Sequence, residues 1–156
     1  MADNRLHRSS INMVAGTFGF GLPMLINLIA NAIDGLAQGT YLYRPQSRSL
    51  DPVTRTETRE LAEHLALDQL LGGDAAANLF FVADMPGILG KLGARGYRTA
   101  HLDGSIQAGR VYLAAYALGR GASGLTFYDD EVVESLGAAS SSAVTFLIAV
   151  GVPFKA

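Results

Sequence analysis

The chain has 156 residues, 49% of them hydrophobic, with a formal net charge of −2 and no cysteine. That length supports one domain with a real core, and the near-neutral charge gives no electrostatic case for nucleic acid. The absence of cysteine excludes disulfides, thiolate metal sites and a cysteine nucleophile, and His7, His64 and His101 are scattered without ligand spacing, so no metal site is expected.

Arg5, His7 and Arg8 precede an uncharged run over residues 9–33 that ends in Ala30-Asn31-Ala32, a pattern that mimics a secretory signal. Gly16, Gly19, Gly21 and Pro23 interrupt it, and Asn12, Asn27 and Asn31 suit a membrane segment poorly. The preferred reading is a strand beginning near Leu25, in a cytoplasmic protein. Residues 40–44 are β-rich, 45–48 form a turn and 49–53 return, which gives a small antiparallel meander. Leu61, Leu65 and Leu71 predict one amphipathic helix over 56–71, stopped by Gly72-Gly73. Residues 78–83 and 143–150 are apolar apart from Asn78 and Thr145 and read as buried strands that form the sheet core.

The longest element is a proline-free helix over residues 97–118. Ala100, Gly104, Ala108, Gly109, Ala114, Ala115 and Ala117 leave little bulk on several of its sides, so neighbouring backbones can come close. Gly119 supplies its stop, and Gly121 and Gly124 follow in what reads as a tight turn. Asp129, Asp130 and Glu131 then suit the first turn of a short helix ending at Gly137. The sequence has no phosphate-binding Walker loop, no dinucleotide fingerprint between strand and helix, and no G-x-S-x-G elbow.

Arg95-Gly96-Tyr97-Arg98, the helix that follows, the turn over 118–124 and Asp129-Asp130-Glu131-Val132 together resemble the nitroreductase superfamily, most closely its SagB-type branch of FMN-dependent dehydrogenases. Residues 25–36 and 39–45 are similar to that family's first strand and hairpin. The resemblance implies an α+β fold with a central, mainly antiparallel sheet flanked by helices. It divides the chain into a degenerate N-terminal segment, 1–21, and a nitroreductase-like domain, 22–156, that lacks part of the N-terminal helical region.

It also implies an FMN cofactor. Ala122, Ser123, Gly124 and Leu125 fall where the flavin ring is contacted, and Arg8, Ser9, Ser10 and Lys155 are the candidates for its phosphate. Lys91 matches half of a Lys-Tyr pair that handles a substrate proton in the azoline dehydrogenases, and Leu92 stands where the tyrosine would be. On composition alone, Lys91 reads as a solvated lysine. The family's activity implies an oxidoreductase acting on azoline-type or other small organic substrates, free or peptide-borne. Its expected assembly is a homodimer, or a dimer with a related subunit, through the long helix. The alternative is a non-catalytic or weakly flavin-binding module that serves as a structural dimer partner.

Overall fold

The computed structural model describes residues 5–7, 22 and 24–153. The short strand β1 (Leu6–His7) is followed by β2 (Met24–Ala30), β3 (Ile33–Asp34), β4 (Gly39–Arg44) and β5 (Ser49–Thr54). Helices α1 (Arg59–Leu65) and α2 (Leu70–Asp74) lead into β6 (Ala77–Asp84), α3 (Met85–Leu92) and the 23-residue α4 (Arg95–Ala117). Last among the described residues come β7 (Gly121–Leu125), α5 (Asp129–Ser135) and β8 (Ser142–Gly151).

The two apolar runs are neighbouring central strands, β6 and β8, of a six-stranded sheet ordered β5-β4-β2-β6-β8-β7, with every pairing antiparallel. Because both faces of β6 are covered, its residues show no polar alternation. Leu79 and Phe81 pack with Ala108, Val111 and Ala115 of α4, while Phe80 and Val82 pack with Ala62 and Leu65 of α1 and Val132 and Val133 of α5. Phe80 and Phe81 are fully buried, and truncating either to alanine removes core on the scale of about 3–5 kcal/mol. The α+β architecture, the meander β4–β5 and the acidic start of α5 agree with the sequence reading.

One extra residue bends β8 against β6. Phe81 pairs with Phe146 but Val82 pairs with Val144, so Thr145 bulges, and its Oγ1 donates to the Phe81 carbonyl at 3.1 Å. α4 lies over this point through Gly104. A Cβ there would sit 2.9 Å from the Thr145 Cβ and closer still to its hydroxyl. The small residues of α4 do allow close approach, but on one side: around Gly109 the space is open.

Two expectations need correction. The single helix over 56–71 is two, because Leu67 and Asp68 take left-handed backbone (φ 56° and 54°) and turn the chain back. Gly72-Gly73 lies inside α2 rather than ending a helix. A Cβ at Gly72 would meet the Ala62 carbonyl at 2.6 Å, so glycine there lets α2 pack on the backbone of α1. The second correction concerns 121–124, which form the edge strand β7 and not a turn. Gly119 (φ 66°) provides the reversal, and neither Gly121 nor Gly124 has positive φ. Of the segment 1–21, only residues 5–7 lie within the described part, where β1 pairs in parallel with β3.

Candidate functional site

An open cavity of about 1210 Å³ lies at the end of the sheet where β7 begins and β8 ends. One wall is Gly121, Ala122 and Ser123 with Gly151, Val152 and Pro153; the other is Arg59 of α1 with Leu71, Asp74 and Ala75 of α2; Asn31, Leu36, Gln38 and Arg5 complete the rim. Arg5 reaches Asp34 at 3.7 Å, with both side chains exposed.

The wall made by α1 and α2 is fixed from beneath by Asn31, which is 3% exposed. Its Nδ2 donates to the carbonyls of Gly72 (3.3 Å), Gly73 (3.2 Å) and Ala75 (3.0 Å), and its Oδ1 accepts from the Thr58 hydroxyl at 2.7 Å. Thr58 Oγ1 also reaches the Ala30 carbonyl, and Asn78 Nδ2 donates to the Gly72 carbonyl at 2.8 Å. The result joins the end of β2, both helices and the start of β6 through buried polar groups.

The open edge of β7 supplies the opposite wall. In an antiparallel pair a residue either exchanges both backbone bonds with its partner or turns both away. The Gly124 N–H donates to the Tyr112 hydroxyl of α4, so Gly124, and Ala122 two residues before it, turn their backbone groups toward the open edge. Ser123 makes only a long contact, 3.5 Å, to the Gly124 carbonyl.

Of the residues singled out in the sequence, the structure brings Ala122 and Ser123 to the cavity. Leu125 instead packs against the cluster under α1 and α5. Gly124 is small for a reason internal to the chain: a Cβ would meet the Phe146 ring at 3.1 Å and the Tyr112 hydroxyl at 3.2 Å. A branched residue at 124 would therefore disturb packing as well as any ligand. Lys91 is exposed in the last turn of α3, beyond the Asp84 end of β6, whereas Ala122 lies level with Ala77 at the other end. About 23 Å of strand separates those levels. Arg8, Ser9, Ser10 and Lys155 lie outside the described residues. Among the described residues there is no group of three or more histidine, aspartate or glutamate side chains placed to hold a metal, and no helix is long and apolar enough to cross a membrane. Sequence reasoning missed Arg59, Thr58 and Asp74; only Asn31, an amide in an apolar run, carried a signal.

The segment after β7 is fastened to the α1–α2 connection. The Tyr128 N–H donates to the Leu65 carbonyl, Gln69 Nε2 donates to Thr126 Oγ1 at 2.9 Å, and the Tyr128 hydroxyl donates to Asp68 at 3.2 Å. His64 completes the fastening, its Nδ1 2.9 Å from Asp68 and its Nε2 2.7 Å from Glu131 of α5. Hydrogen bonds to Asp68 and then Glu131 hold the His64 pKa above its ordinary value. The stabilisation is therefore complete below that ordinary value and fades as pH rises through the raised one. Thermal melts across neutral to mildly alkaline pH are expected to show the parent losing stability relative to His64→Gln. Parallel curves for the two proteins would refute it.

Under α4, Asp103 is buried with Gln107 Nε2 donating to it at 2.8 Å, and burial pushes its carboxyl pKa up against that bond and Arg110.

The comparisons extend over most of the chain. No protein-family model matches it. A candidate nitroreductase of Methanocaldococcus jannaschii is 29% identical over 119 residues, 76% of this chain and 60% of the relative. The structure of a candidate nitroreductase from Anabaena variabilis superposes with a TM-score of 0.89 at 27% identity, covering 98% of this chain and 35% of that one. An NADPH:FMN oxidoreductase of Vibrio harveyi shares the fold with a TM-score of 0.67 at 20% identity, over 99% of this chain and 63% of its own. The chain thus spans about three fifths of the curated relative and about a third of the first structural one. The edge strand that follows a long central helix, in an antiparallel sheet covered on both faces, is a nitroreductase-like fold, and over most of its length the chain is similar in sequence to a candidate nitroreductase.

Proposed function

We propose that the chain binds FMN against β7 and works as an FMN-dependent oxidoreductase of the nitroreductase type. The observation that carries this reading is the cavity beside Ala122 and Ser123, the two flavin-contact candidates that face it. Its donors suit such a ligand. The guanidiniums of Arg5 and Arg59 offer charge to a phosphate, Gln38 and Ser123 offer an amide and a hydroxyl to a polyol, and Leu36, Leu71 and Val152 offer apolar surface. Asp74 on the same rim opposes an anion, against two cationic side chains. The open backbone edge of β7 matches the polar rim of a flavin ring. Bound FMN would supply the electron chemistry, leaving this chain to hold and orient it.

The SagB-type branch, with azoline-type or other small organic substrates, is supported by the ordered motifs from Arg95 to Val132. Lys91 has no part in this reading within one chain, being remote from Ala122 and Ser123. A homodimer through α4 is supported by its outer stripe: Leu102, Leu113 and Tyr116 are 62%, 72% and 60% exposed, with Ile106 between them. The distance of Lys91 favours a second reading, in which the module is a structural partner of a related, complete subunit.

Sedimentation velocity with FMN added, followed at protein and flavin absorbance, separates these. Flavin moving with a dimer is the expected result. A colourless dimer would favour the structural partner, and a stable monomer would remove the homodimer.

A further inference from the structure

We infer that Arg59 is the anchor for the phosphate of the bound flavin, a role the sequence resemblance gave to Arg8, Ser9, Ser10 and Lys155. The inference rests on the FMN reading above. Arg59 is half-buried on the cavity wall facing Ser123 and Gly151. One nitrogen of its fork, Nη1, donates to the Gly73 carbonyl at 2.7 Å. That carbonyl is itself held by the Asn31 amide at 3.2 Å, and Asn31 is held by Thr58, the residue before Arg59.

The guanidinium is therefore braced at one corner, by a network buried beneath the cavity floor, and only one of its five N–H donors is spent there. A pre-positioned arginine loses less freedom on binding than a free one, and its planar fork matches phosphate oxygens in a paired geometry.

The test is titration of FMN and of riboflavin, which lacks the phosphate, into the parent protein and into Arg59→Gln, followed by quenching of flavin fluorescence. The parent is expected to prefer FMN. Arg59→Gln should weaken FMN about ten- to hundredfold, the scale of a lost charge-assisted hydrogen bond, and leave riboflavin unchanged. Arg59→Lys, which keeps charge without the fork, should fall between. Equal weakening of both ligands would make Arg59 a structural support of α2 and overturn the inference. Unchanged binding of both would also overturn it while leaving the FMN reading intact. A parent that binds neither flavin would sink the FMN reading, and this inference with it.

Discussion

Asn31→Asp is expected to destabilise the fold by about 3–5 kcal/mol at neutral pH. The amide nitrogen now donates toward three carbonyls, those of Gly72, Gly73 and Ala75, in a site 3% exposed. An aspartate puts an acceptor where a donor is required and buries a carboxylate against carbonyl oxygens. The group must either stay charged in a poor environment or take up a proton. Its folded pKa is thereby raised, so the penalty should shrink as pH falls toward the carboxylic-acid form, which regains one donor. Urea unfolding of the two proteins at neutral and mildly acidic pH checks both size and sign. A loss below about 1 kcal/mol would mean that the network carries little energy. Because whole domains are stable by only about 5–15 kcal/mol, the expected loss would be visible as a fall in soluble protein too.

Gly104→Ala should cost about 2–3 kcal/mol or more, although alanine is the better helix former by about 1 kcal/mol. The added carbon would lie 2.9 Å from the Thr145 Cβ, which cannot rotate away. Either α4 lifts from the sheet or the bulge shifts. Gly109→Ala is the control on the same helix: nothing lies within 4 Å of its Cβ position, so propensity alone should act and stability should rise by about 0.5–1 kcal/mol. Adding Thr145→Gly to Gly104→Ala should recover part of the loss, since the pair share one contact. Melting temperatures in the order Gly109→Ala, parent, Gly104→Ala would bear this out, and a stabilised Gly104→Ala would contradict it.

The sheet was legible because its central strands are apolar on both faces, and residues 78–83 have no polar member after Asn78 to suggest otherwise. The helix over 56–71 was misread because Leu61 and Leu65, with Ala62 and Ala66 beside them, keep helical spacing right up to the reversal at Leu67 and Asp68, and leucine seldom adopts positive φ. Glycine was ambiguous in the same way. Gly119 serves a left-handed turn, Gly72 a close helix contact and Gly124 the Phe146 ring, and composition does not tell these uses apart. Arg59 left no trace at all. Its place on the cavity wall depends on Asn31 bonding to residues 41 to 44 positions away, and local spacing cannot report that.

The bulge at Thr145 bears on how this chain is matched to others. Beyond it, toward Ser142, the sidedness of β8 is inverted: Val144 joins the cluster beneath α5, and Ala143 packs with Met85 and Ile88 on the face of α3 and α4. A relative without the extra residue would present the same faces one position out of step. An alignment drawn straight through 142–146 would then equate residues on opposite sides of the sheet, lowering the apparent identity where the architecture is unchanged.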